Sequence, residues 1–231
     1  MNVRQTIVRL LTGRLTRDEM LQFNRRHFVA GLVGTWIVGM GRYWDHKNAT
    51  LLQHLGFGSL IYIFLLAGFV WLIVKPYFVD NWNYFTVVTF IGLTSFPAIL
   101  YAIPVESFFS LETANFLNGW FLAVVAFWRL CLLYYFLRIF TRLNSAYIFN
   151  ITLMPVCLII STLTALNLDH VVYNFMSGIE HPSPNDSSYL ILQVLTGVSA
   201  IAIIPLLIGY FLGIYFRYQK RKKSKAGNQI N

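Results

Sequence analysis

An arginine stands inside the most continuously apolar stretch of the chain: Arg129, in FLNGWFLAVVAFWRLCLLYYF, residues 116–136. Lipid tolerates a lone guanidinium poorly, so such a residue faces a bundle interior or water and marks a functional hypothesis. Asn118 lies eleven positions earlier, close to three helical turns, and so shares one stripe with Arg129. Together they could line a polar path for a solute or ion. No carboxylate occupies the centre of another apolar stretch. The partner of Arg129 must come from Asn150, Gln193, a tyrosine, or backbone carbonyls freed at Pro97, Pro155 or Pro205, the helix-break candidates. The simpler reading is an arginine that fixes packing or snorkels toward the cytoplasmic surface.

A second group of residues could do chemistry at a membrane surface. Asp45-His46 and His54 precede one apolar stretch, and Asp169-His170 and Glu180-His181 precede another. Imidazole with carboxylate can bind zinc, but these spacings match no zinc signature. Neither G-x-S-x-G nor H-E-x-x-H occurs. No catalytic, metal or cofactor site is expected, and the chain reads as non-enzymatic.

The elements that position these residues follow from composition. Of 231 residues, 57% are hydrophobic and only 12% are charged, about half the charged share of a soluble domain. The bilayer is therefore the expected solvent. The expected fold is all-α, a polytopic transmembrane helix bundle with spans at about 28–44, 56–74, 82–103, 116–136, 146–166 and 189–216. In the third of these, IGLTSFPAILYAIPVE (residues 91–106), Pro97 removes one backbone bond, Thr94 and Ser95 can refill the gap, and Pro104 ends the helix. Both Cys131 and Cys157 fall in apolar segments, so they report nothing about redox compartment.

Segment 1–27 is expected to be cytoplasmic and basic. Val3, Ile7, Leu10 and Leu11 share one face of a short interfacial helix, and Gly13 is its stop. Thr16 and Glu19 then form a capping box, opening a helix that would run through Arg25-Arg26-His27 into the first span. That segment contains no apolar core of a signal peptide.

Charge sets the direction. The net charge is +9, with Arg4, Arg9, Arg14, Arg17, Arg25 and Arg26 at one end and Arg217, Lys220, Arg221, Lys222, Lys223 and Lys225 at the other. Placing the basic tail, residues 217–231, in the cytoplasm puts loop 137–145, with Arg138 and Arg142, inside. Loops 104–115 and 167–188, which carry acids but no Lys or Arg, then fall outside. Six spans with cytoplasmic N- and C-termini satisfy this rule best.

Partners are expected in and at the membrane: the lipid bilayer itself, and anionic lipid headgroups at Lys220–Lys225. The GxxxG of Gly209 and Gly213 permits close helix contact within the chain, with a membrane-protein partner, or in a homo-oligomer. No nucleic-acid surface is expected.

From Gly56 to Leu166 the order of features resembles the Yip-domain family of multi-span membrane proteins. It is carried by the link KPYFVDN, the aromatic-led WNYFTVVTFIGLTSFPAIL, Trp120 and Trp128 in a span ending in arginines, and Pro155 beyond it. That family usually has five spans, and the acidic, proline-containing signature of its eukaryotic members is absent here. The resemblance implies a non-enzymatic scaffold or accessory subunit. A small transporter or channel subunit with Arg129 on a polar path is the alternative, and a membrane-embedded enzyme the third reading. Short loops suit a bacterial inner membrane.

Overall fold

The computed structural model describes residues 2–44, 50–168, 172 and 187–227, and among them the chain is all-helical with no strand. Helices α1 (Val3–Leu11), α2 (Arg17–Leu21) and α3 (Arg25–Gly41) come first, followed by the short α4 (Leu51–His54). Next, α5 (Phe57–Val74) runs on through a 3-10 turn at Lys75–Tyr77, and α6 (Tyr84–Leu93) gives way to a 3-10 segment at Phe96–Ala102. Then come α7 (Leu111–Thr141), α8 (Ser145–Ala165) and α9 (Ser187–Gly227). Five of these segments are long and apolar enough to cross a membrane: Phe57–Tyr77, Tyr84–Ala102, Glu112–Thr141, Ser145–Ala165 and Leu192–Lys223. α3, with 17 residues, is shorter than any of them.

The helix expected to run from α2 into the first span is instead two helices. Asn24, extended at ψ 179°, caps α3 by accepting the Arg26 N–H at 3.0 Å. Asparagine is a strong N-cap because its short carbonyl reaches the free amides of the first turn. α1 ends at Gly13, whose φ of +65° is left-handed. At α2 the Thr16 N–H donates to Glu19 Oε2 at 2.8 Å, and Glu19 also pairs with Arg9. The apolar face of α1 packs on protein: Leu10 is fully buried, and Ile7 and Leu11 lie against the core. The chain then straps along α7. Trp128 Nε1 donates to Leu11 O at 3.2 Å, the Tyr135 hydroxyl to Leu15 O at 2.5 Å, and Arg17 Nε to Phe140 O at 3.0 Å.

Prolines break helices only where the local sequence offers an alternative. α-Helix stops at Leu93, four residues before Pro97. Gly92 is a weak helix former, and the hydroxyls of Thr94 and Ser95 bond back to Ile91 O at 2.9 and 3.3 Å. Pro155 and Pro205, expected as break points, sit instead inside the continuous α8 and α9. Each forfeits one backbone bond, and the extended packing of α8 against α9 outweighs that loss.

The core forms where α5, α6, α7 and the 75–82 link converge. Phe90 and Phe136 stack with centroids 4.1 Å apart, and Trp82 packs edge-on to Phe140. α9 is fastened to the link by a reciprocal pair: the Tyr77 hydroxyl donates to Tyr210 O at 3.1 Å, and the Tyr210 hydroxyl to Ile73 O at 2.9 Å. The GxxxG glycines serve this intramolecular packing. A Cβ at Gly209 would strike Asn150, and one at Gly213 would lie 2.8 Å from Tyr77 Oη and 3.0 Å from the Tyr147 ring.

Candidate functional site

Three glycines of α3 bring it against the third apolar segment in parallel register. A Cβ on Gly31 would lie 3.0 Å from Leu93 N, one on Gly34 would enter the Phe96 ring, and one on Gly41 would lie 3.0 Å from Ala102 Cβ. Between these contacts the Thr35 hydroxyl donates to Gly31 O at 2.8 Å and lies 2.9 Å from Ser95 Oγ. At the far end Trp44 Nε1 donates to Ala102 O at 3.0 Å. The two segments thus make a wall, and the 3-10 geometry after Leu93 rotates Ser95, Ala98 and Tyr101 onto its inner side.

Facing that wall, α5 and α7 enclose a cavity of about 360 Å³. Its polar lining is Thr35, Ser59, Ser95, Gln53 and the guanidinium-bearing Arg42 and Arg129; its apolar lining includes Val38, Ile63, Ala98 and Leu122. Among the described residues that line it, none is acidic. Val38, Ala98 and Val125 are all buried and pack as one cluster beside it. Deeper along α3, the Gly31–Gly92 backbone contact seals the wall.

Both arginines are held by aromatic faces. Arg129 lies over the Tyr62 ring at 5.7 Å, and Arg42 stands 5.2 Å from the Tyr101 centroid and 5.4 Å from that of Tyr43. A cation–π contact uses the positive charge and leaves the N–H donors of a guanidinium for hydrogen bonding. Arg129 Nη2 is buried and has no hydrogen-bond partner among the described residues. Side chains lean toward the N-terminus of their helix. From α7 this carries Arg129 toward the end where α3 stops and α5 begins, not toward the Arg138–Arg142 end. Two cations, several hydroxyls and an orphaned donor line one cavity, a donor set whose chemistry suits an oxyanion.

Of the residues singled out by sequence, the structure brings Arg129 together with the Pro97 break, whose neighbours Ser95 and Ala98 line the cavity. Tyrosine, one of the partners foreseen for Arg129, supplies its contact. Asn118, half-buried on α7, is not among the described lining residues. Asn150 lies against Gly209 in the α8–α9 contact, and Gln193 is exposed on α9. Sequence reasoning missed Arg42, Tyr62 and Tyr101. A signal for Arg42 was present, since a basic residue at the end of the segment 28–44 expected outside runs against the charge rule. Asp45-His46, Asp169-His170 and Glu180-His181 lie outside the described residues. Among the described residues no three His, Cys, Asp or Glu side chains come together to hold a metal ion. The chain matches no known protein-family model, curated protein or solved structure.

Proposed function

We propose that this is a six-span membrane protein with both termini cytoplasmic, whose Arg129–Arg42 cavity binds an anionic ligand in the outer half of the bilayer. The sixth span is α3. It supports this by running beside the segment Tyr84–Ala102 from Gly31 to Gly41, a partner that itself has membrane-spanning length. The buried, orphaned Nη2 of Arg129 carries the binding reading: a buried donor without a partner costs about 1–3 kcal/mol, more when charged, and an oxyanion recovers it. The sealed Gly31–Gly92 contact favours a blind binding site over a conducting path, and the cavity favours ligand binding over a pure scaffold.

Two measurements test this. Thermal unfolding of the detergent-solubilised protein should rise with inorganic phosphate, acetate or phosphatidylglycerol, and the rise should vanish in Arg129→Leu. If none of the three shifts the midpoint in an Arg129-dependent way, the binding reading is wrong. For topology, single cysteines at Asp18, Thr113 and Lys222, with Cys131 and Cys157 replaced by serine, should label Asp18 and Lys222 from one side and Thr113 from the other. Opposite labelling of Asp18 and Lys222 would leave five spans.

A further inference from the structure

The cavity is not equally closed on all sides. At the end where α3 stops, the lining residue Arg42 sits against Tyr43 and Tyr101, which also line the cavity, and nearby Trp44 Nε1 donates to Ala102 O and Trp36 Nε1 to Leu55 O at 2.7 Å. On the opposite flank, α5 and α7 make no extended packing contact with each other, although each packs on the wall of α3 and Phe96–Ala102 or on its neighbours. What bridges them is the Arg129 guanidinium over the Tyr62 ring. Tyr62 is 46% exposed despite lining the cavity, so its ring belongs to both the interior and the outer face. Beside the contact, Leu65 on α5, one turn from Tyr62, and Ala126 on α7, one turn from Arg129, are apolar and exposed. In a bilayer these face acyl chains.

From this we infer that the ligand is an anionic amphiphile, a lipid whose phosphate enters sideways between α5 and α7 while its chains stay in the bilayer. The inference rests on the anion-binding reading above and deepens it. A cavity of about 360 Å³ lies at the small end for organic ligands. It holds a headgroup but not a whole diacyl lipid, so the chains must leave through a gap lined as this one is. The lining has the same division: Thr35, Ser95 and the two arginines around the charge, and Val38, Ile63 and Leu122 beside them. The phosphate would take the in-plane N–H donors of Arg129, including Nη2, without displacing Tyr62 from its face.

The source of the phosphate is decided by titrating the full chain, in neutral detergent micelles, with phosphatidylglycerol, with phosphatidylcholine, and with inorganic phosphate at matched ionic strength. The readouts are the thermal midpoint and native mass spectrometry. The expected result is one retained phosphatidylglycerol per chain, a raised midpoint with that lipid alone, and apparent affinity about tenfold weaker in Arg129→Leu, the scale of one charge-assisted hydrogen bond. Arg129→Lys, which keeps the charge but not the stacking plane, should weaken binding by a smaller factor, and it carries the test if the leucine variant fails to fold. An equal, Arg129-dependent response to inorganic phosphate would overturn the amphiphile and leave anion binding standing. A phosphatidylglycerol response unchanged in both variants would place the lipid elsewhere, on surfaces such as Lys220–Lys223, and overturn the inference. No response to any of the three overturns both.

Discussion

Arg129 on α7 and Tyr62 on α5, 67 positions apart in sequence, meet guanidinium to ring at 5.7 Å, joining two helices that make no extended packing contact with each other. A cation–π contact of this kind is worth about 0.5–2 kcal/mol depending on desolvation. Tyr62→Phe keeps the ring and should leave anion-dependent stabilisation unchanged. Tyr62→Ala removes it and should weaken that stabilisation several-fold. Equal behaviour of the two variants in the thermal titration would assign the effect to the hydroxyl or to nothing.

Helix approach at Gly31 gives a second prediction. A methyl there would press on Leu93 N and the Gly92 carbonyl carbon, backbone atoms that cannot rotate away. Overpacking of this type costs about 1–3 kcal/mol, so Gly31→Ala should lower the unfolding midpoint clearly. At Gly58 nothing lies within 4 Å of an added Cβ, and Gly58→Ala should be neutral or slightly stabilising. A reversed order would mean that the α3–α6 contact is looser than described.

The tyrosine pair that fastens α9 predicts a coupling. Tyr77→Phe and Tyr210→Phe each remove one buried hydrogen bond, at about 1 kcal/mol apiece. Because both bonds hold the same two segments together, the double variant should cost less than the sum of the singles. Strict additivity in a denaturant-midpoint cycle would show two independent bonds.

Acid should release the N-terminal strap. The Thr16 backbone N–H bonded to its carboxylate holds Glu19 below the usual carboxylate range, with the Thr16 hydroxyl and Arg9 adding to the effect against the desolvation of burial. A carboxylate so held contributes stability above its unfolded value and gives it up as pH falls through its folded value. Amide protection across residues 3–21 should therefore persist at neutral pH and fall below about pH 4, with α6 unaffected. Glu19→Gln should show the loosened strap already at pH 7. Loss beginning above the carboxylate range in the parent chain would implicate His27, which burial pushes below the ordinary imidazole range and which lies 3.0 Å from the Thr6 hydroxyl.

Hydropathy made the apolar segments legible almost to the residue where helix and hydrocarbon end together. The stretch 56–74 is the helix Phe57–Val74, and 146–166 is Ser145–Ala165. It failed where capping, not lipid, sets the end. α7 runs from the Ser110 cap to Arg142, whose φ of 54° stops it, five residues beyond the expected 116–136 on each side. Arg129 was conspicuous because a charge inside an apolar run has no local explanation. Its surroundings were not legible, because the rotation of α5 about its axis decides that Tyr62 and not Phe64 meets it, and no periodicity encodes that rotation. The conversion to 3-10 at Phe96 needed both the proline and the serine and threonine before it. Pro155 and Pro205, candidates on the proline alone, lie inside helices and have no such Thr-Ser pair before them.

The parallel contact of α3 with Phe96–Ala102 also bears on how the chain is made. α3 is short and rich in glycine, and much of what it packs on, from Gly92 to Ala102, is synthesised about sixty residues later. On the six-span reading proposed above, α3 would settle only once the third segment is present, and variants at Gly31 or Gly34 should then accumulate as chains whose N-terminal region remains accessible to protease during synthesis.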